Sequence, residues 1–438
     1  MTKNKKLLVV ISSPLFTLSG YGKHSLDIVN SLIESYDDVW DIRLLSNKWG
    51  ACSMVEDVDD MLAKKVLTSP LTEQPDIWIQ ISIPNEFKPV GKYNIGITAG
   101  IETTACSGPW IEGVNRMDYI LVPSKHAKFV FENTIYDKKD KQGNDLGKLK
   151  CTTPIDVIFE GVDLSLFGKD LPIDIDVNKY LNEEVKEDFN FLIVSQWGNG
   201  EIFQDRKDVG GAILSFFKAF RNKENAPGLI LKCNGAAYSE MDKETIKNKI
   251  DVIKNLNEFN TDKLPNIYLL YGQLTEQELN TVYNHSKVKC IYSLTKGEGY
   301  SRTFPEFLVS GKPIITTKFS GHLDYLNEQQ AVLIPGELKN IHKSVVWKDV
   351  IIPESKWLYV DYNNVAVYLK DMFNDYESYV KQSAKLSKTI VNDWNLDKMT
   401  IKLKGLMDIF IENNYIAPIE FEDIILPDLD DIKLLGDE

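Results

Sequence analysis

The sequence predicts an α/β protein made of two tandem Rossmann-like halves, each a doubly wound parallel sheet, facing one another across a cleft. Three observations predict it. Apolar runs of strand length alternate with amphipathic helical stretches. That alternation occurs twice, and a polar, acidic stretch separates the two series. Strands that are apolar nearly throughout suit a parallel sheet covered on both faces. Alternation of strand and helix implies βαβ units. A chain of 438 residues has room for two or three domains.

In the first series the strands are LLVVIS (7–12), IRLLS (42–46), IWIQIS (77–82), YNIGIT (93–98), YILVPS (119–124) and IDVIF (155–159). Helices are expected at 24–36 and 125–134. DKKDKQGNDLGKLK (137–150), with five lysines and three aspartates, reads as a loop. The connection is LPIDIDVNKYLNEEVKED (171–188). The second series is FLIVSQ (191–196), LILKC (229–233), IYLLYG (267–272), KCIYS (289–293), PIITT (313–317) and AVLIP (331–335), with helices near 208–222, 240–258, 275–285 and 303–310. Beyond Trp357 the chain reads as helical, over 363–392 and 397–413. The expected organisation is a first domain over 1–170, the connection over 171–188, a second domain over 189–360, helices packing back toward the first domain over 361–416, and an acidic tail over 417–438. Ligands of open α/β sheets bind beyond the carboxyl ends of the strands, so two such edges face to face suit a long, bipartite ligand.

Composition narrows the function classes. At 43% hydrophobic and 26% charged residues the chain is globular, not disordered, collagen-like or a disulfide scaffold. The net charge is −14, and the tail Ala417–Glu438 alone holds eight acids and one lysine. A net acidic body disfavours non-specific binding to phosphate backbones. Five scattered cysteines (52, 106, 151, 233, 290) without a CxxC suit reduced thiols and a cytoplasmic location. No 18-residue apolar run occurs, so no integral membrane segment is expected. Five scattered histidines and acidic runs confined to connection and tail predict no metal site.

Two loops carry candidate chemistry. After the first strand, Ser19-Gly20-Tyr21-Gly22-Lys23-His24-Ser25 matches neither a dinucleotide fingerprint nor a P-loop, since Ser25 replaces a third glycine and Thr17 and His24 break the P-loop spacing. It reads either as an anion-approaching turn or as a tight βα turn with no ligand. In the second half, Lys296-Gly297-Glu298-Gly299-Tyr300-Ser301-Arg302-Thr303-Phe304-Pro305-Glu306 lies between a strand and a helix, with Pro305 in the helix's first turn. The amides of 299–303 suit a diphosphate, and the flanking carboxylates suit sugar hydroxyls, which are donors needing acceptors. Taken singly, Glu306 also reads as a first-turn helix acid and Glu298 as a loop charge.

Glu298 to Glu306 resembles the E-x7-E motif of the retaining glycosyltransferases of GT-B architecture, in the GT4-like group. LTKGEGYSRTFPEFLVSGKPIITTKFSGHLDYL (294–326) is similar to that family's E-G-F-G…E-A…G-x-P-V-I…G-G block. YILVPSKHAKFVFE (119–132), VIFEGVDLSLF (157–167), QDRKDVGGAILSFFKAF (204–220), LYGQLTEQELNTVYNHS (270–286) and SGYGKHSLDIVNSL (19–32) resemble further blocks in the family's order, over roughly 7–415. The resemblance implies that Glu298 holds the donor sugar's hydroxyls and Glu306 the ribose. It implies that the amides of Gly299, Tyr300, Ser301 and Arg302 hold sugar and diphosphate, and that Lys207 neutralises the leaving diphosphate. Gly272 and Leu274 would hold the base through their backbone, and Gly20 and Gly22 would let the first domain approach diphosphate and acceptor.

Three positions depart from the family pattern. Ser301 replaces the second glycine of E-G-F-G. The family's arginine after the first strand of the second domain has no counterpart in SQWGNG (195–200), leaving Arg206 or Arg302 to supply its charge. Glu102, in ITAGIETTACSGPW (97–110), stands where the family often carries His or Asp, so Glu102 and His24 are the acceptor-side candidates. The resemblance implies sugar transfer from a nucleotide-diphosphate sugar to a hydroxyl acceptor, with retention, without a cofactor and without a metal ion. The acceptor is a glycan or other small molecule. The alternatives are a hydroxymethylated base in phage DNA, for which the lysines of 137–150 speak, and a catalytically silent nucleotide-sugar-binding partner protein.

Overall fold

The computed structural model describes residues 6–48, 59–139, 142–198, 200–235 and 238–414. Cys52 and the acidic tail 417–438 lie outside the described residues. The first half contains β1 (Leu7–Ser13), β2 (Trp40–Ser46), β3 (Ile77–Ile81), β4 (Tyr93–Ile97) and β5 (Tyr119–Val122), then an antiparallel ribbon of β6 (Tyr136–Lys139) and β7 (Asp145–Leu149), then β8 (Ile155–Val157). The six long-range strands form one parallel sheet in the order β2-β1-β3-β4-β5-β8. Its helices are α1 (Gly20–Tyr36), α2 (Asp60–Lys65), α3 (Gly108–Val114) and α4 (Lys125–Asn133). Each residue of β1 is buried, as its continuous apolar run requires.

The connection is partly helical, as α5 (Ile175–Glu184), started by the Asp174 side chain accepting from the amide of Val177. The second half holds β9 (Asn190–Gln196), β10 (Gly228–Asn234), β11 (Ile267–Leu270), β12 (Val288–Tyr292), β13 (Ile314–Thr317) and β14 (Val332–Ile334). They form a second parallel sheet in the order β11-β10-β9-β12-β13-β14. Around it lie α6 (Val209–Phe220), α7 (Glu240–Lys254), α8 (Glu276–Asn284) and α9 (Thr303–Leu308). A second antiparallel ribbon, β15 (Glu337–Asn340) and β16 (Lys356–Tyr359), follows. The chain then runs through α10 (Tyr362–Asn374), α11 (Tyr376–Asp393) and α12 (Leu396–Asn413).

Residues 137–150, expected as a loop, are instead mostly the β6–β7 ribbon. Only its base is apolar and packed: Tyr136 pairs with Leu149, and both meet the first-half core. The charged remainder is exposed, so no alternating pattern marks it as strand.

The three last helices do not share one partner. α10 lies on α6 and α11 on α9, within the second half, whereas α12 lies along α1 of the first. There Ser31 and Thr400 hydroxyls meet at 2.8 Å, and the Tyr36 hydroxyl donates to Asp408 at 2.7 Å and to the Lys404 carbonyl at 3.0 Å. The crossing is pinned by reciprocal backbone bonds: Val162 N–H to the Trp394 carbonyl and Leu396 N–H to the Val162 carbonyl. The polypeptide therefore passes between the halves twice, at 171–188 and at 394–396.

The strand orders decide where functional loops meet. In the second sheet the order reverses between β9 and β12, so the loops following these strands, 197–208 and 293–302, open at the switch point. In the first sheet it reverses between β1 and β3, beside the loop carrying Gly20 and Gly22.

Candidate active site between the two halves

The loop after β12 places Glu298 at the switch point, with its side chain 6% exposed. Lys207 Nζ lies 2.6 Å from Glu298 Oε1, and Arg206 Nη1 lies 2.8 Å from Oε2. Arg206 Nη1 also donates to the Gly297 carbonyl at 2.9 Å. Its Nε reaches across the cleft to Glu102 Oε2 at 2.9 Å. Four charges from three loops thus balance: Glu102 from the first half, Arg206, Lys207 and Glu298 from the second. Burial alone would raise the Glu298 carboxyl, but Lys207 and Arg206 outweigh it and hold it down to about 2. Burial raises Glu102 instead, against the pull of Arg206 and the weaker pull of Lys207, with the Glu298 charge adding to the rise.

A buried lysine holds the cationic loop in place. Lys296, with a side chain 1% exposed, donates to the Phe203 carbonyl at 2.7 Å and to the Asp205 carbonyl at 2.9 Å. Its Nζ is 3.7 Å from Asp208 Oδ1 and 4.7 Å above the Tyr359 ring of β16. The Lys296 amide donates to the Arg206 carbonyl at 2.7 Å. Asp208 begins α6, its carboxylate accepting from the Gly211 amide and from the Tyr362 hydroxyl. Sequence reasoning gave Lys296 no role. Its only sequence signal is a lysine in the loop that follows an apolar strand.

The halves touch at this point. A Cβ on Gly297 would overlap the carbonyl oxygen of Glu102, and one on Gly299 would overlap that of Ala99. Glycine is thus required here by backbone approaching backbone across the cleft. Gly299→Ala is expected to hold the halves apart, giving a larger radius of gyration in solution scattering with an unchanged far-ultraviolet spectrum.

Ser301, the departure from E-G-F-G, sits at φ 75°, the left-handed region that costs a non-glycine residue about 1–2 kcal/mol. The Tyr325 hydroxyl offsets this by donating to the carbonyls of Tyr300 and Ser301, each at 3.0 Å. Among the described residues, none of the amides of 299–302 is engaged in a turn or loop hydrogen bond.

Arg302 and Glu306 belong to a second cluster. Arg302 Nη1 lies 2.7 Å from Asp27 Oδ2 on α1 and 3.5 Å from Glu160 Oε2 after β8; its Nε is 3.8 Å from Glu306 Oε1. Lys23 pairs with Glu276 on α8 at 2.8 Å. Burial raises both Glu160 and Glu306 to about 7, against the pull of Arg302. His24, also buried here, is lowered to about 3 by burial and by Arg302, so it is neutral at physiological pH. Asp27 and Glu160 were not anticipated. Each is an isolated acid in an otherwise helical or apolar block, a pattern that does not reveal its partner.

The remaining expected residues lie apart from these two clusters. A Cβ on Gly22 would overlap the Thr17 carbonyl, and the Gly22 amide donates to Ser19 Oγ at 3.0 Å, so Gly22 serves the tight turn. Around Gly20 there is open space. Gly272 and Leu274 follow β11; the Gly272 carbonyl accepts from Lys232 at 2.7 Å, and Leu274 packs on the core. A surface hollow of about 640 Å3 lined by Asp37, Arg43, Asp60 and Lys64 flanks edge strand β2, and none of the site residues borders it. Among the described residues, no group of His, Cys, Asp and Glu could hold a metal ion.

The arrangement of two such sheets is shared with solved structures. Sucrose-phosphate synthase from Thermosynechococcus elongatus is similar over 93% of this chain and 100% of that one, with a TM-score of 0.61 and 12% identity. HepE of Anabaena, crystallised with UDP and glucose, is similar over 92% and 100%, at 0.57 and 9%. A glycosyltransferase from Rickettsia africae is similar over 94% and 100%, at 0.56 and 13%. The fold is GT-B. At these identities the likeness concerns the fold. No family model matches the chain, and no curated protein matches it. Within the GT-B frame, Glu298, Arg206 and Lys207 occupy the cleft face of the second half, and Glu102 faces them from the first. No described helix is long and apolar enough to cross a membrane.

Proposed function

We propose that this protein is a retaining glycosyltransferase that moves a sugar from a nucleotide-diphosphate sugar to a hydroxyl acceptor without a metal ion. The observation that carries the reading is the buried Glu298 carboxylate, ionised and gripped by Lys207 and Arg206 at the second sheet's switch point. Three GT-B neighbours support it, one of them crystallised with UDP and glucose.

A carboxylate offers about four acceptor positions. Lys207 and Arg206 use two, leaving the others for the donor sugar's hydroxyls. The same two cations supply the countercharge for a leaving diphosphate on this reading, together with the amides of 299–302. Of the two arginines that could replace the family's missing one, Arg206 suits this role. Arg302 is committed to three carboxylates. Glu306 takes the ribose, as the resemblance implies.

In the reaction, the bond between the sugar's anomeric carbon and the β-phosphate oxygen breaks. A bond from that carbon to the acceptor oxygen forms on the same face, and the acceptor's proton passes to the departing phosphate. Glu298 stabilises the positive charge on the ring, and the cations stabilise the leaving group. On this reading Glu102, paired with Arg206 Nε at 2.9 Å, orients the acceptor hydroxyl once Arg206 turns toward phosphate.

The test is release of nucleotide diphosphate from a panel of nucleotide sugars, with simple glycans or with duplex DNA bearing hydroxymethylcytosine as acceptor. Turnover is expected to persist in EDTA, because Arg206 and Lys207 supply the countercharge. Loss in EDTA with recovery in Mg²⁺ or Mn²⁺ refutes the metal-free mechanism. Nucleotide-sugar binding without any turnover favours a silent binding protein.

A further inference from the structure

The two halves are joined at a buried cluster whose charges do not balance. Arg302 of the second half inserts between Asp27 and Glu160 of the first, with Glu306 of its own helix alongside. The side chains of Arg302, Asp27, Glu160 and Glu306 are 14%, 7%, 6% and 11% exposed. Three carboxylates thus share one guanidinium in a place shielded from water only while the halves are together.

The surrounding groups do not correct the imbalance. From α1, Lys23 is matched by Glu276, and His24 is neutral. Tyr21, Tyr283, Tyr300 and Tyr325 face the cluster as uncharged phenols, their hydroxyls raised by burial. Asp324 accepts from the Lys125 amide and adds no cation. Fully ionised, the four acids and two bases would carry a net charge of −2. Like charges this close in a water-poor interface cannot all stay ionised.

We propose that closing of the two halves is coupled to proton uptake at Glu160 and Glu306, crowded with Asp27 around the single Arg302 guanidinium, so that acid favours the closed form and base the open one. The inference concerns the ligand-free protein and does not rest on glycosyl transfer.

The direction follows from linkage. In the closed form Glu160 and Glu306 are raised to about 7, against an ordinary value of 4.5. Opening parts Glu160 from Arg302 and returns both carboxyls toward water and toward that ordinary value. The closed form therefore holds more protons. Its advantage is complete below the ordinary value and is lost as pH rises through about 7. Between the ordinary value and about 7 the closed-to-open ratio falls up to about tenfold per pH unit for each proton involved, and above 7 it levels off. An anionic ligand entering the cleft would meet the same cluster and draw protons to it.

The experiment is small-angle scattering of the full-length protein without ligand from pH 4.5 to 8.5 at constant ionic strength. The radius of gyration is expected to rise with pH between about 4.5 and 7 and to level off above 7. Glu160→Gln, which keeps shape and removes a charge, should stay compact across the range. Should that variant fail to fold, Asp27→Asn removes the other first-half carboxylate and carries the same expectation. A wild-type radius that does not change with pH overturns the proposal. So does a folded variant that opens with the same pH course as wild type, since the transition then belongs to other groups.

Discussion

Glu298→Gln is expected to cut turnover by about 10²–10³-fold while leaving affinity for the bare nucleotide diphosphate intact or improved. The amide keeps the shape but loses the charge that stabilises a cationic sugar ring. In a water-excluded cleft that loss corresponds to roughly 2–4 kcal/mol. The affinity half of the prediction comes from the ion pairs. Lys207 and Arg206 now spend their charge on Glu298, at 2.6 and 2.8 Å. With glutamine there, both become freer to meet phosphate. Glu306→Gln should do the reverse, weakening nucleotide and nucleotide sugar alike, because ribose is common to both. Isothermal titration with the nucleotide diphosphate, beside kcat at saturating donor, separates the two. Equal affinity losses with unchanged kcat would sink the division of roles. The wild-type Glu298 carboxyl is depressed to about 2, so it stays ionised through the neutral range. Its ion pairs are lost only as pH falls from the ordinary carboxylate range toward 2, and the acid limb of a rate profile above pH 5 should not belong to it.

Lys296→Met is expected to cost about 3–5 kcal/mol of stability, the range for removing one partner of a buried ion pair. Methionine has similar bulk, so the loss is polar rather than a cavity. The carbonyls of Phe203 and Asp205 lose their donor, and Asp208 loses its cation. Burial already raises Asp208 to about 6, with Lys296 opposing that rise. Without Lys296 it rises further, and a raised carboxyl contributes stability that disappears as pH increases through its folded value. The deficit in urea denaturation should therefore widen from pH 5 to pH 8. Activity should fall with it, because the segment 203–208 carries Arg206 and Lys207. A deficit that is flat with pH would mean that Asp208 finds another cation.

The sheets were readable from sequence because most of their strands are apolar runs, and burial on two faces is a one-dimensional property of composition; edge strand β2, with Asp41 and Arg43 turned outward, alternates instead. β1 and β9 fall where LLVVIS and FLIVSQ predict them. The two ribbons were not readable. β6–β7 is charged along most of its length, and β15 is exposed throughout, so neither carries an alternating pattern. Within the site, Glu298 and Lys207 were legible through motif spacing, and the structure brings them to 2.6 Å. Pairings across the cleft were not. Whether Arg302 meets phosphate or meets Asp27 and Glu160 depends on how the halves dock, which no local pattern encodes. Sequence reasoning assigned a role only to the Gly299 amide and none to Gly297, whereas the bare faces of both glycines are turned to the backbone of the opposite half.

The return of α12 to the first half also governs how the molecule can move. The polypeptide passes between the halves at 171–188 and again at 394–396, where Val162 is bonded to Trp394 and Leu396. A body tethered to another at two separated points behaves like a door on two hinges. It can swing about the line through them, but sliding and twisting motions strain one tether or the other. The cleft is thus left with essentially a single coordinate of motion. On such a hinge the contacts of Arg206 with Glu102 and of Arg302 with Asp27 would open together rather than in turn, and a cross-link made at either pair should arrest the whole swing.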